Sequence, residues 1–204
     1  MRLQREWPAL VLASTSPTRA KLLKDAGLAF TIVPASFNEV GARRAARENG
    51  ASAQEAAAIL AEGKALEVSA AMPEAMVIGA DQILAAGESW LEKPVGQQQA
   101  AEQLRALRGR EHHLASAVAV AAAGHVRFLH TCEATLRFLS FSDSLLEAVL
   151  QADRAAIGSS VGGYRLEGPG ILLCEQIQGD HFTILGLPML PLLAFLRTTG
   201  LLIA

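Results

Sequence analysis

Only two cysteines, Cys132 and Cys174, occur in 204 residues. They lie far apart and lack metal-ligand spacing, which argues against a disulfide scaffold or a structural zinc site and for buried thiols in a reducing compartment. Neither sign of charge is in excess: 18 Lys and Arg face 20 Asp and Glu, for a net charge of -2. Without a basic surplus nothing draws the chain to nucleic acid, so any phosphate it handles must be met by a few local cations, and the expected partner is a small anion. Long apolar runs are missing too. The longest are strand-sized or broken by Gly and Pro, which leaves no evident membrane span and no expected membrane partner. Residues 1–8 contain Arg2, Arg5 and Glu6 and no apolar run, so a secretory signal is not expected and the default location is the cytoplasm. The five histidines show no HExxH spacing and are read as structural or exposed. A Walker loop, a GxGxxG turn and a nucleophile elbow are also absent, which removes the commonest nucleotide-binding folds and serine hydrolases.

What is present is apolar: 51% of the residues are hydrophobic, enough to bury a sizeable core. With no internal repeat or separating linker, the chain reads as a single domain over 1–204. Residues 9–13 form a short apolar run ending in Ser14-Thr15-Ser16-Pro17, with Leu22 and Leu23 at helical spacing before Gly27, which predicts strand, loop and helix. Ser16 suits the helix cap, Pro17 the first helical position and Gly27 the left-handed stop. Residues 30–33 read as a second strand. Ser52-Ala53-Gln54-Glu55 is a capping box opening a helix with Lys64 in its middle. Residues 76–81 have a buried-strand pattern ending in a carboxylate, Asp81, and 97–107 read as a helix. Residues 114–123 and 126–139 suggest an antiparallel pair joined at Gly124, and Ser142 caps a further helix. Residues 171–174 and 182–185 look like short strands, and Pro188 introduces a closing helix. The expected fold is α/β with a mixed sheet.

Several residues could carry chemistry. A helix start at Ser14-Thr15-Ser16-Pro17-Thr18-Arg19 offers free amides to a phosphate, and Arg19 adds a bidentate donor; an ordinary capped helix with a solvated arginine explains the same segment. Asp81 at a strand's end could hold Mg²⁺ or act as a base, or merely cap a turn. Lys64 and Lys93 could neutralise phosphate charge, though an isolated lysine usually faces solvent. Glu39 could supply a second metal-binding carboxylate or be an exposed loop residue. Glu167 sits in a glycine-rich turn where a ligand can approach the backbone.

Taken in order, Leu12-Ala13-Ser14-Thr15-Ser16-Pro17-Thr18-Arg19, Glu39, Lys64-Ala65, Ile78-Gly79-Ala80-Asp81-Gln82, Lys93-Pro94, Tyr164-Arg165-Leu166-Glu167-Gly168, Ile177-Gln178-Gly179-Asp180 and Gly186-Leu187-Pro188 resemble the Maf family from residue 10 almost to the end. The resemblance implies a nucleoside triphosphate pyrophosphatase that releases a monophosphate and pyrophosphate, on a mixed-sheet α/β fold with a cleft between two lobes. It implies Asp81 as the proton acceptor and a divalent cation, Mg²⁺ or Mn²⁺, at Glu39 and Asp81. Ser14, Ser16, Arg19, Lys64 and Lys93 match positions on or near the phosphates, and a homodimer is what the family suggests.

Three positions depart from the commonest family pattern. The family often has two arginines after Ser-Pro, Thr after the catalytic Asp, and Gln in the Tyr-x-x-Gln-Gly segment; here these are Thr18, Gln82 and Glu167. Gln82 and Glu167 resemble the branch described as 7-methyl-GTP pyrophosphatases, whereas Thr and Gln there mark the branch acting on dTTP and UTP. A carboxylate at Glu167 would accept hydrogen bonds from a guanine edge and suit the positive charge of an N7-methylated ring. Glu92 stands where the family usually has Gly, and Ser116-Ala117 where it usually has Thr-Gly. The rival expectations are the same chemistry on dTTP, UTP or a broad triphosphate set, and a nucleotide-binding regulator of septum formation without turnover.

Overall fold

The computed structural model describes residues 3–203, so Met1, Arg2 and Ala204 lie outside the described residues. Strand β1 (Ala9–Leu12) leads into helix α1 (Pro17–Asp25). Ser16 caps that helix by accepting from the Arg19 N–H at 3.4 Å, Pro17 fills its first turn, and Gly27 at φ +76° follows its end, as the sequence predicts. The second strand shrinks to β2 (Thr31–Ile32). Asn38 then caps helix α2 (Glu39–Glu48), which places Glu39 in a helical first turn rather than in a loop. The capping box of Ser52 and Glu55 opens α3 (Ala53–Ala71) with both reciprocal bonds present.

Strand β3 (Ala75–Ala86) runs twelve residues and does not stop at Asp81. It turns at Gly87 into β4 (Ser89–Leu91), after which α4 (Gly96–Leu107), β5 (Glu111–Ala122), β6 (His125–Phe138) and α5 (Asp143–Ala152) follow. The expected strands at 171–174 and 182–185 do not form. Pro169–Leu173 is a 3-10 turn, the strand is β7 (Cys174–Gln178), and residues 181–184 are a helical turn, α6 (His181–Ile184), capped by Asp180. Short apolar runs carry too little periodicity to separate a strand from a single helical turn, and here the caps decide. Helix α7 (Met189–Thr198) closes the chain behind Pro188.

Among the described residues seven strands make one mixed sheet in the order β2-β1-β3-β5-β6-β7, with β4 paired to β3 off that path. The β2-β1-β3 side is parallel and the remaining pairs are antiparallel. Alternation along β5 divides the packing. Ala117, Ala119 and Ala121 share a core with Ala57, Leu60, Ala61 and Ala65 of α3, while Val118 and Val120 join Leu12, Leu23, Leu192 and Leu196 on the opposite face. A separate core of Leu84, Leu104, Leu136, Phe138, Leu146 and Tyr164 builds the α4–α5 side. Cys132 and Cys174 are both free thiols and only half-buried, a correction to the expectation of buried ones: Cys132 lies on the partly exposed β6, and Cys174 starts the exposed edge strand β7.

Two close approaches set the site. A Cβ on Gly79 would stand 2.1 Å from the Ala61 carbonyl oxygen, so glycine lets α3 lie directly on β3. A Cβ on Gly63 would stand 2.4 Å from the ring of Phe37, so that ring seats the segment leading into α2 upon α3.

Candidate active site

Strand β3 has a break along one edge. There β1 accompanies it only from Ala75 to Ile78 and β4 only from Leu84 to Ala86, while β5 covers the other edge from Val77 to Ala85. Asp81 lies midway along the uncovered stretch, where a parallel ladder has ended but the strand has not. The expectation of an acid at a strand's end is corrected accordingly: the cleft opens because β1 departs. Pleating sends Asp81 and its neighbour Gln82 to opposite faces of β3.

On the α3 face, Asp81 is 4% exposed and Lys64 5%. The Lys64 ammonium bridges two carboxylates, donating to Asp81 Oδ1 at 2.6 Å and pairing with Glu39 Oε2 at 2.8 Å. Asp81 Oδ2 is buried without a hydrogen bond, with Arg43 Nη2 3.6 Å away. Arg43 in turn reaches Glu92 Oε1 at 3.4 Å. An alternating chain of charge therefore runs Glu39, Lys64, Asp81, Arg43, Glu92.

Arg19 closes the opposite wall. Its Nε donates to the Gly186 carbonyl and its Nη1 to the Ala80 carbonyl, both at 2.8 Å, and Nη1 also donates to Ser14 Oγ at 3.3 Å. The Ala80 carbonyl belongs to the uncovered edge of β3, so the guanidinium replaces part of the missing strand. Burial lowers the Arg19 pKa from its ordinary value, against the attraction of Asp81 and Glu39. Lys93 is held below its ordinary value as well, first by burial and then by repulsion from Arg19 and Lys64, with Glu39 and Asp81 opposing.

At the mouth, Thr18 Oγ1 donates to Glu167 Oε1 at 3.5 Å across 149 residues of sequence. The segment bearing Glu167 is clamped by Arg165, whose Nε and Nη2 meet Asp153 at 2.9 and 2.5 Å. Gln82 Nε2 lies 2.9 to 3.0 Å from Ile184 O, Thr183 O and Ser116 Oγ, tying β3 to α6. Its nitrogen is thereby committed, and Oε1 is what it can offer a ligand. Ser116 Oγ itself donates to Thr183 O at 2.7 Å.

All ten candidate residues, Ser14, Ser16, Thr18, Arg19, Glu39, Lys64, Asp81, Gln82, Lys93 and Glu167, line one pocket of about 560 Å³. That size accommodates a nucleotide-scale ligand. The same wall carries residues the sequence reading passed over: Arg43, Phe37, Ser159 and Ser160. Arg43 had a signal, since it falls four residues after Glu39 and so on the same face of a helix, but that helix start was read as a loop. Five cations in the pocket, Arg19, Arg43, Lys64, Lys93 and Arg165, stand against the carboxylates of Glu39, Asp81, Glu92 and Glu167. The wall is thus nearly neutral while its donors are concentrated around Asp81.

A family model described as Maf-like protein matches residues 9–199. A protein named nucleoside triphosphate pyrophosphatase from Bradyrhizobium diazoefficiens is 48% identical over 98% of each chain. Proteins named 7-methyl-GTP pyrophosphatase from Rhizobium etli and Rhizobium meliloti are 42% and 43% identical, over 95% of this chain and 97% of theirs.

Proposed function

The chain belongs to the Maf-like protein family, and from that premise we propose that it is a nucleoside triphosphate pyrophosphatase cutting between the alpha and beta phosphates, with 7-methyl-GTP as its substrate. One observation carries the chemistry: a buried carboxylate, Asp81, has Oδ1 pinned by Lys64 and Oδ2 without a hydrogen bond, inside a pocket of guanidiniums and ammoniums. In this reading Asp81 takes a proton from water as the water oxygen bonds to the alpha phosphorus, and the bond from that phosphorus to the bridging oxygen breaks to release pyrophosphate. Lys64 holds Asp81 in place. Arg19, Lys93 and the Ser14–Ser16 loop take the phosphate oxygens.

The residues fit a divalent cation. Asp81 Oδ2 is an orphaned buried acceptor, Glu39 is a second hard-oxygen donor, and Mg²⁺ characteristically takes one or two carboxylates and draws its other ligands from water and phosphate. Mg²⁺ or Mn²⁺ held by Glu39 and Asp81 would neutralise triphosphate charge that the nearly balanced pocket leaves over.

Glu167 and Thr18 support the modified purine. Their contact turns a carboxylate to the cleft mouth, where it suits the donor edge and the positive charge of 7-methylguanine and repels pyrimidine carbonyls. The names of the two rhizobial relatives point the same way. The one sheet that carries both walls of the pocket supports a single domain over 1–204. The reading extends to a cytoplasmic enzyme that handles neither nucleic acid nor membrane, and to a homodimer.

The test is pyrophosphate release from 7-methyl-GTP, GTP, dTTP, UTP and CTP with Mg²⁺ or Mn²⁺, for wild type and Asp81→Asn. The expected outcome is preference for 7-methyl-GTP and a loss of about 10²- to 10⁴-fold in the variant. Pyrimidine preference would overturn the specificity assignment and keep the chemistry. Binding without turnover in the wild type would move the protein to the septum-regulator reading.

A further inference from the structure

Arg19 and Arg43 enter the same pocket from opposite walls, but their guanidiniums are employed very differently. Arg19 places its donors on two carbonyls at 2.8 Å and a hydroxyl at 3.3 Å. Arg43 makes one long hydrogen bond, from Nη1 to Glu92 Oε1 at 3.4 Å. Its Nη2 stands 3.6 Å from Asp81 Oδ2, beyond hydrogen-bond reach, and its Nε is buried with no partner. Buried donors left unmade are costly, and a planar fork with spare donors matches an oxyanion presenting two oxygens. Besides Glu92, the fork faces Asp81 at 3.6 Å, the residue assigned above to take the proton of the attacking water.

Among the described residues Glu92 is the fork's one hydrogen-bond partner, and it is a poorly anchored one. Its side chain is 63% exposed, it lies in the segment between β4 and α4, and it adjoins Lys93 in sequence. An exposed carboxylate at 3.4 Å is readily exchanged for a stronger oxyanion, because exposed ion pairs contribute little.

We infer that Arg43 is a phosphate-binding residue for the pyrophosphate-leaving end of the triphosphate, and that Glu92 is a placeholder which the substrate displaces from it. The inference rests on the functional reading above. Two consequences separate it from a structural role. Removing the fork weakens affinity for pyrophosphate, and removing the placeholder's charge strengthens it only while the fork is present.

The experiment measures binding of inorganic pyrophosphate with Mg²⁺ by titration calorimetry, alongside KM, kcat and melting temperature, for wild type, Arg43→Met, Arg43→Lys, Glu92→Gln and the Arg43→Met/Glu92→Gln double variant. Expected are an affinity loss of about 10- to 100-fold in Arg43→Met, the size of lost charge-assisted hydrogen bonds, and partial rescue in Arg43→Lys, which restores charge without the fork. Glu92→Gln is expected to tighten binding by about two- to fivefold in the wild-type background, the scale of an exposed ion pair, and to change nothing when Arg43 is absent. Unchanged affinity in Arg43→Met overturns the assignment of Arg43. So does a loss that follows a collapsed melting temperature and is not relieved by Arg43→Lys. Equal tightening by Glu92→Gln in both backgrounds overturns the placeholder. A wild type that neither binds pyrophosphate nor releases it from any triphosphate removes the functional reading itself, a result distinct from the others.

Discussion

His112 is fully buried among Phe138 and Tyr164, shares a 2.7 Å hydrogen bond with the Tyr164 hydroxyl, and has Nδ1 without a partner. Burial, assisted by repulsion from His113, holds its pKa down at about 4, so the folded protein keeps the ring neutral where the unfolded chain protonates it at 6.5. Between those values the unfolded state binds more protons, so stability falls as pH drops from 6.5 and the loss is complete below 4. The full loss is about 3 kcal/mol, roughly 2 of it by pH 5. Urea denaturation at pH 7 and pH 5 checks this: the difference in wild type should exceed that in His112→Gln by about 2 kcal/mol. Equal differences would show that His112 is not the group responsible. Because Tyr164 lines the pocket around Asp81, this buried ring also belongs to what shapes that wall.

At the scale of elements, α3 lies directly on β3, and it does so because residue 79 has no side chain. A methyl group there would meet the Ala61 carbonyl oxygen at 2.1 Å and the Ala65 nitrogen at 2.7 Å, both backbone atoms of a long helix. Lys64 adjoins Ala65 and Asp81 lies two residues beyond Gly79, so the same approach creates their 2.6 Å contact. Gly79→Ala should therefore cost at least about 2 kcal/mol in denaturant unfolding and lower pyrophosphate release together with it. A stable variant with full turnover would contradict the packing argument. Local signals for these elements were readable in advance: the Ser16 cap, the Ser52–Glu55 capping box and the Gly124 hairpin all form. The misread elements are the short ones. Residues 171–173 and 182–185 are apolar enough for strands, but Pro169 and the Asp180 cap, which bonds the Thr183 N–H at 2.9 Å, turn them into single helical turns.

For the whole molecule, the cleft is a consequence of sheet topology. The β2-β1-β3 and β5-β6-β7 parts stay joined through β3 and β5, while the departure of β1 exposes the middle of β3 between cores on either side. Those cores are built of apolar side chains, and among the described residues no group of three or more His, Cys, Asp or Glu is placed to hold a metal ion. A divalent cation is thus expected to serve the substrate and not the fold. Excess chelator should abolish pyrophosphate release and move the melting temperature by less than about 2 °C, within what a change well under 1 kcal/mol produces. Scanning calorimetry with and without chelator, beside the activity assay, checks it; a large drop in melting temperature would assign the metal a structural role.

The sequence by itself determined the local grammar and the family. Caps, turn glycines and hydrophobic period act within a few residues, and the ordered short motifs from Ser14 to Pro188 are legible without coordinates. It also singled out ten residues that the fold gathers around one pocket. Only the tertiary structure decided that Asp81 stands in mid-strand beside a missing neighbour, that Thr18 meets Glu167, and that Arg43 spans Asp81 and Glu92. These contacts join segments up to 149 residues apart. Their geometry depends on where β1 leaves the sheet and how closely α3 lies on β3, quantities set by packing between elements and not by the spacing of residues along any one of them.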